Sequence, residues 1–286
     1  MELWSQALLI GLARGGIYAL LASGLTLAYA VTKQLHLTHG NFVCVALYLC
    51  IVLAGSLALD PYISVLITAP VLFGIGILIY RYILCRVMDS GILVSFQIFL
   101  GLIFVIENLL LGLFTATPRL IPSFIVLHRV TLGHLVLGLP HLIAFIAALV
   151  IGLGFYWMLR STDFGRAIRA VSEDMETASL MGIRVRRVQM MVWALAFVLI
   201  AVSASLVAPW WEVSPFIGLD LTLFALIILV IGGMGNFVGA LVAGFAMGLI
   251  ESIAGLTIGG TMAAALPYII FIFFLFFRPQ GLFRGV

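Results

Sequence analysis

The run HLIAFIAALVIGLGFYWML, residues 141–159, decides what kind of protein this chain is. Its 19 residues include no Asp, Glu, Lys or Arg. About 20 apolar residues in an α-helix are enough to cross the hydrocarbon core of a membrane. A membrane-spanning strand would alternate apolar and polar residues, and this run does not. The run therefore predicts a transmembrane helix.

The rest of the chain repeats this pattern. Hydrophobic residues make up 64% of its 286 residues and charged residues only 9%, whereas a soluble domain is about 25% charged. A soluble fold could not hide so much apolar surface. We therefore predict an all-α, polytopic membrane bundle of eight or nine spans, forming a single transmembrane domain over residues 1–286. The predicted spans are about 7–31, 41–59, 62–80, 91–114, 141–159, 188–208, 220–233, 237–256 and 262–277. The run 220–233 is short and ends in IGGMGN, so it is either a full span or a broken, re-entrant segment.

Lys and Arg in the connections predict the orientation, because cytoplasmic loops carry an excess of them. If the loop at about 160–187 is cytoplasmic, eleven basic residues lie inside, and only Arg119 and Arg129 lie outside. The eleven are Lys33, Arg81, Arg86, Arg160, Arg166, Arg169, Arg184, Arg186, Arg187, Arg278 and Arg284. This bias predicts an N-terminus outside, a C-terminus inside and an external connection over residues 115–140.

The cytoplasmic loop itself is patterned. The segment DFGRAIRAVSEDMETASLMGIRVRR, residues 163–187, holds nine charged residues. On a helix, Val171, Met175, Ala178 and Gly182 form one small apolar stripe, and Gly182 is a suitable C-terminal stop. We predict one short amphipathic helix on the cytoplasmic surface. The alternative is a solvated loop whose arginines only fix the topology.

Four segments carry a family resemblance in the family's order along the chain. They are LHLTHGNF (35–42), GRAIRAVSEDMETASLMGI (165–183), VIGGMGNFVGALVAGFAMGLIE (230–251) and RPQGLFRG (278–285). Together they resemble the branched-chain amino acid permeases of binding-protein-dependent ABC importers. The first segment departs from the family pattern at Leu37, Thr38 and Asn41, where the family has Phe, Ala and Glu.

The resemblance implies a bacterial inner-membrane, multi-pass permease subunit and a set of partners. These are a second, homologous permease subunit in a heterodimer, two cytoplasmic ATP-binding subunits and an external substrate-binding protein. ATP and Mg²⁺ would be bound by the partner subunits, with no cofactor on this chain. The resemblance also implies that the loop carries the helix that couples to the ATPase. The matching positions are Gly165, Arg166, Arg169, Ala170, Glu173, Asp174, Ala178, Gly182 and Ile183.

Polar and glycine residues inside or beside the spans are candidates for the translocation path, because charge inside a membrane is expensive. The candidates are Arg14, Gly15, Gly16, Tyr18, His39, Gly40, Asn41, Glu107, Asn108, Gly235 and Asn236. Arg14 could attract a substrate carboxylate or extend to the outer interface. We predict an Arg14–Glu107 ion pair, a Glu251 near the outer interface, and His39 and Asn41 at the cytoplasmic membrane edge.

Several functions are disfavoured. The chain lacks the G-x-x-x-x-G-K-[ST] phosphate loop, so we expect a transport permease and not an enzyme. Cys44, Cys50 and Cys85 have neither disulfide nor metal spacing, and no site for a metal or a nucleic acid is predicted. The family implies a branched-chain amino acid as substrate. Permeases for amides or urea, and an ion-coupled secondary transporter working alone, remain the alternatives.

Overall fold

The computed structural model describes residues 2–126, 128–132, 135–278 and 281–283. Within them the chain forms twelve α-helices and one β-hairpin. The helices are α1 (Glu2–Thr32), α2 (His39–Leu57), α3 (Pro61–Ile79), α4 (Cys85–Val87), α5 (Ile92–Phe114), α6 (Leu139–Ser161), α7 (Asp163–Glu173), α8 (Met175–Leu180), α9 (Val185–Val207), α10 (Ile217–Gly232), α11 (Phe237–Thr257) and α12 (Gly260–Phe277). A π-helical turn (Tyr80–Leu84) joins α3 to α4, and a 3-10 turn (Met88–Ser90) follows α4.

The helical membrane bundle predicted from the sequence is confirmed, since every predicted apolar run is helical. Seven helices of the described chain are long and apolar enough to cross a membrane. They are Leu3–Thr32, His39–Leu57, Pro61–Val87, Leu93–Phe114, Leu139–Ser161, Val185–Val207 and Phe237–Thr257. Two further apolar helices, Ile217–Gly232 and Met262–Phe277, are shorter. The structure therefore gives seven candidate spans and two shorter helices, against eight or nine predicted spans.

The connection over residues 115–140 contains the hairpin, which the sequence analysis did not predict. Strands β1 (Arg129–Leu132) and β2 (Leu135–Gly138) pair antiparallel, with Arg129 opposite Gly138. An isolated bridge also joins Arg119 to Val213, which precedes α10. The connection is thereby held to the segment between α9 and α10.

Small residues set a close helix crossing between α1 and α11. A Cβ added to Gly248 would lie 2.2 Å from the backbone nitrogen of Gly15, and one added to Gly244 would lie 2.4 Å from the Cα of Ala19. A Cβ on Gly16 would lie 2.7 Å from the Cβ of Ala148 on α6. Small residues let the backbones of membrane helices approach closely. The structure therefore places Gly15 and Gly16, two candidates for the translocation path, in helix-packing contacts.

Helix α2 begins inside the bundle and not at its edge. The ring nitrogen Nε2 of His39 lies 2.9 Å from the carbonyl oxygen of Leu21 on α1. Leu21 lies eleven residues before Thr32, the end of α1, which is ~16 Å at 1.5 Å per residue. Residues 33–38 therefore return into the bundle before α2 starts. The structure places His39 inside the bundle, beside α1 and away from the end of that helix, because the start of α2 is set by tertiary contacts. The position of His39 and Asn41 at the cytoplasmic membrane edge stays a prediction.

The end of α10 packs against the C-terminal segment. The N–H of Leu282 donates to the carbonyl of Ile231 at 2.8 Å, and that of Phe283 donates to Gly232 at 3.3 Å. Gly233 has a φ of +105°, and a Cβ there would lie 1.8 Å from the carbonyl oxygen of Phe283. The glycine run after α10 therefore serves close backbone packing. Arg284, one of the residues in the charge bias, lies outside the described residues.

Candidate functional site

The first turns of α2 and α10 meet inside the bundle. The backbone N–H of Gly40 donates to the hydroxyl oxygen of Thr222 at 2.8 Å, and that hydroxyl donates to the carbonyl of Gly218 at 2.9 Å. A Cβ added to Gly40 would lie 2.1 Å from the carbonyl oxygen of Gly218. Gly218 precedes the end of α10 by fourteen residues, ~21 Å along the helix. We call this contact of Gly40, Gly218 and Thr222 the helix junction.

Asn41 extends the helix junction toward α5. Its side-chain amide nitrogen lies 3.3 Å from Oε1 of Glu107, so the amide donates to the carboxylate. Asn41 is fully buried, and its amide oxygen has no hydrogen-bond partner among the described residues. Asn108 is exposed on the same helix as Glu107, and its one hydrogen bond within the described residues goes to the carbonyl of Phe104. The structure therefore joins Gly40, Asn41 and Glu107 and leaves Asn108 on the outer surface of α5.

Aromatic rings surround His36 beside the helix junction. Its imidazole is fully buried, with ring centroids 4.5 Å from Trp193 and 5.2 Å from Phe99. Neither ring nitrogen has a hydrogen-bond partner among the described residues. In that part of the chain, no group of three or more His, Cys, Asp or Glu side chains could hold a metal ion. His36 therefore belongs to an apolar, aromatic wall of the helix junction.

Sequence reasoning missed Gly218, Thr222 and this aromatic wall. The predicted seventh span began at residue 220, while α10 begins at Ile217. Pro215 and Gly218 in SPFIGLD mark a helix start that could have been found. The partners of His36 come from α5 and α9, and no local signal in the sequence pairs those helices.

A second polar group lies between α1 and α11. Nη1 of Arg14 lies 3.4 Å from Oε1 of Glu251, and its guanidinium carbon lies 6.0 Å from the ring centroid of Trp210. Tyr18 follows Arg14 by one turn on α1, and its ring packs on Phe224 with the ring centroids 4.4 Å apart. The predicted Arg14–Glu107 pair was wrong. The two acidic residues lie on different helices, and Glu251 is the one brought to Arg14 by the glycine crossing of α1 and α11.

We expect Arg14 and Glu251 to be energetically coupled. Removing one partner leaves the other charge without its counter-ion. The Arg14 side chain is 38% exposed and the Glu251 side chain is 18% exposed. Arg14→Gln and Glu251→Gln should each lower the thermal unfolding midpoint in detergent, and the double variant should lose less than their sum. We expect a coupling energy of ~1 kcal/mol, reduced by the partial exposure of Arg14. The matched cycle of Arg14→Gln with Glu107→Gln should be additive, and coupling in that second cycle would contradict the structural pairing.

The loop after α6 is anchored before its first helix begins. The Thr162 hydroxyl oxygen caps α7 by accepting from the N–H of Gly165 at 3.0 Å. A Cβ on Gly165 would lie 2.2 Å from the carbonyl oxygen of Leu159, and the guanidinium of Arg169 donates to that same carbonyl. Arg166 forms an exposed ion pair with Asp163. These contacts hold α7 against the end of α6.

The loop contains two helices and not the one predicted. Asp174 has an extended backbone (φ −150°, ψ 111°), and its carboxylate caps α8 by accepting from the N–H groups of Glu176 and Thr177. The Thr177 hydroxyl bonds to the same carboxylate and, with those N–H groups, holds the pKa of Asp174 below its ordinary value. The extended backbone at Asp174 therefore ends α7 at Glu173, and the Asp174 side chain starts α8. Ala170 lies in α7, and its carbonyl accepts from the N–H of Asp174 at 3.1 Å.

The predicted apolar stripe is partly correct. Val171 and Ala178 are buried, at 0% and 4% exposure. Gly182 is exposed with a φ of +84° and no atom near its missing Cβ, so it ends α8 without lying on the stripe. The N–H of Ile183 donates back to the carbonyl of Ala178 at 3.1 Å, as in a glycine-terminated helix. At the tip of α8, Leu180 and Met181 are 82% and 80% exposed.

A family comparison accounts for this architecture. Residues 7–275 match the model of a family described as the permease component of the branched-chain amino acid transport system. The chain belongs to this permease family. The resemblance found in the sequence is thereby confirmed, and the protein is a multi-pass membrane permease of the branched-chain amino acid ABC transport type.

Individual relatives of this permease are distant but match most of its length. It is 24% identical to the high-affinity branched-chain amino acid transport system permease protein BraD of Pseudomonas aeruginosa, over 97% of this chain and 94% of BraD. It is 23% identical to the corresponding protein LivH of Escherichia coli K12, with the same two coverages. The probable LivH of Methanocaldococcus jannaschii is 27% identical over 83% of this chain and 76% of that protein.

A solved structure shares the fold of the permease. A chain of PsaBC from Streptococcus pneumoniae, solved in complex with a Fab, superposes with a TM-score of 0.52. The match covers 98% of this chain and 93% of the other at 15% sequence identity. At that identity the similarity establishes the fold alone.

The remaining candidates of the permease lie at the start of α11. Gly235 has a φ of +86°, and a Cβ added to it would lie 3.6 Å from the Cα of Ala30. Asn236 caps α11 by accepting from the N–H of Gly239 at 2.8 Å. Both line a cavity of about 590 Å³ that also touches Arg169 and Phe283. The structure places this pair near α7, to which Arg169 belongs, and away from the helix junction.

Proposed function

We propose that this permease is the membrane subunit of an ATP-driven importer and carries branched-chain amino acids through the helix junction. The observation that carries the proposal is the meeting of two helix N-termini, those of α2 and α10, inside the bundle. Helix N-termini carry partial positive charge, and broken helices in transporters use such ends to bind anionic substrate groups. The substrate carboxylate would approach these ends, with the apolar side chain against the aromatic wall of His36, Trp193 and Phe99.

The proposed orientation has the N-terminus outside and the C-terminus inside a bacterial inner membrane. The ammonium group of Lys33 donates to the carbonyl of Ser172 at 2.8 Å, which brings the end of α1 to the coupling loop. The basic residues of that loop therefore share one end of the bundle with Lys33, as expected for a cytoplasmic face. In this arrangement α10 starts within the membrane and need not cross it fully, which is compatible with eight or nine spans.

The partner subunits have separate surfaces. A second homologous permease, as a heterodimer, would cover the α5 face that carries Glu107 and Asn108, because an exposed amide in mid-span is better placed against protein or water than against lipid. Two ATP-binding subunits, which hold ATP and Mg²⁺, would dock on α7 and α8. An external binding protein would deliver the substrate at the opposite end. ATP binding would move the coupling helices and open the path outward, and release inside would follow hydrolysis.

The test is uptake of labelled leucine into proteoliposomes containing the permease with its partner permease, ATPase and binding protein. We expect uptake to require ATP on the ATPase side. Asn41→Leu, which removes the amide that bonds Glu107, should reduce uptake by ~10-fold or more, as expected when a half-buried carboxylate loses its donor. Asn108→Leu is the matched control, since its amide bonds only to its own helix, and should keep near-normal uptake.

Two alternative functions predict different results in the uptake experiment. Uptake by the permease chain alone, driven by an ion gradient without ATPase, would overturn the importer proposal in favour of a secondary transporter. Competition by urea or a short amide, but not by isoleucine or valine, would replace the substrate class while keeping the importer. Equal uptake by Asn41→Leu and wild type would contradict the proposal that the substrate passes through the helix junction.

A further inference from the structure

A cavity of about 600 Å³ opens at the membrane edge of the proposed cytoplasmic face. Its walls come from the turns after α3, from α8 and from the start of α9. The candidate spans Pro61–Val87 and Val185–Val207 end and begin at this level, so the cavity lies where the hydrocarbon core gives way to lipid head groups. We call it the edge pocket.

Three arginines line the edge pocket: Arg184, Arg186 and Arg187. All three are exposed, and among the described residues none of their guanidinium groups has a hydrogen bond or an ion pair. Two arginines elsewhere differ, since Arg14 pairs with Glu251 and Arg169 donates to a backbone carbonyl. Helix α9 also begins here, and no side chain caps it. Guanidinium groups are planar, charged donors suited to a phosphate.

The remaining lining is largely apolar. It includes Tyr80, Met88, Met175, Ile183 and Val185. A small inorganic anion would leave this surface uncovered, whereas a lipid would place its glycerol and the first part of its acyl chains there. Basic pockets between membrane helices on the cytoplasmic side suit anionic lipid head groups.

We propose that the edge pocket binds the phosphodiester head group of an anionic phospholipid, held by Arg184, Arg186 and Arg187. Met175, Ser179 and Ile183 of the pocket wall belong to or directly follow α8. A bound lipid would therefore contact the same helix whose tip exposes Leu180 and Met181. The proposal goes beyond the transport function and needs neither a substrate nor an ATPase, so it can fail while the importer proposal stands.

The test uses the purified, delipidated permease and native mass spectrometry with dioleoyl phosphatidylglycerol, compared with dioleoyl phosphatidylcholine. Wild type should retain phosphatidylglycerol with preference over phosphatidylcholine. The triple variant Arg184→Gln, Arg186→Gln, Arg187→Gln should bind phosphatidylglycerol ~10- to 100-fold more weakly, as expected for three juxtamembrane charges. A second variant, Ser179→Trp, fills the exposed side of the pocket without changing the charge and should also weaken binding.

The matched control removes three arginines outside the edge pocket: Arg160→Gln, Arg166→Gln and Arg278→Gln. It should bind phosphatidylglycerol like wild type. Equal losses in the two triple variants would overturn the proposal, since binding would then follow net charge. The proposal would also be overturned if Ser179→Trp and the Arg184, Arg186, Arg187 triple variant, each measured separately, both bind phosphatidylglycerol like wild type. Displacement of the lipid by millimolar inorganic phosphate would contradict the lipid as occupant and assign the site to free phosphate.

Discussion

Gly40→Ala should destabilise the permease by ~3 kcal/mol, the upper range for overpacking a tightly packed site. The added Cβ would lie 2.1 Å from the Gly218 carbonyl oxygen and 2.6 Å from the Thr222 nitrogen. Both atoms belong to the backbone of α10, so no side-chain rotation can relieve the clash, and α2 and α10 must separate. At 2–4 °C per kcal/mol, the unfolding midpoint of the protein in detergent should fall by ~6–12 °C.

Gly55→Ala is the matched control for this experiment. Gly55 lies on the same helix, and its missing Cβ has no atom within 4 Å. Alanine is a better helix former than glycine by about 1 kcal/mol, so this variant should be neutral or slightly stabilised. If both variants unfold at the same temperature, the close packing of the helix junction is wrong.

The fold could be predicted far better than the site, and particular residues show why. Span formation is a local property: the run 141–159 is helical because 19 apolar residues must satisfy their own backbone in lipid. The depth at which a helix starts is not local. Nothing in LHLTHGNF says that residues 33–38 turn back into the bundle, because that depends on the contact of His39 with Leu21 on another helix.

Pairing of charges across the bundle was similarly beyond the sequence. Arg14 and Glu251 are 237 residues apart, and two acidic residues inside spans were available as partners. The glycine spacing on α1 and α11 selects Glu251, and that pattern is visible in the sequence once both helices are considered together. The break at Asp174 was also readable, because an Asp followed by Glu176 and Thr177 is a good N-cap. It was missed because the apolar stripe continues across the break, from Val171 to Ala178.

The tip of α8 should supply the largest share of ATPase binding. Leu180 and Met181 are 82% and 80% exposed at a polar surface, and burying each against a partner contributes about 1.5–3 kcal/mol. The double variant Leu180→Asp, Met181→Asp should therefore reduce co-purification of the ATPase with the permease by more than ~10-fold. Its unfolding midpoint in the absence of ATPase should stay near that of wild type, because neither side chain packs within the permease. Gly182→Arg is a poorer test, since a φ of +84° would strain the turn itself.

The control for this variant adds the same two charges elsewhere on the same face, as Ser90→Asp with Ser161→Asp, both at exposed positions. It should retain the ATPase, because net charge changes equally while the apolar tip is intact. If both double variants retain the ATPase, the tip of α8 is not part of the contact. The docking element would then be α7. Absence of any ATPase with wild type would instead contradict the importer itself. These outcomes differ because the apolar tip is required only if motion passes from the ATPase into α8. From α8 the motion would reach α1 through Gln189. The amide nitrogen of Gln189 lies 3.5 Å from the Met175 sulfur and 2.8 Å from the Val31 carbonyl oxygen of α1.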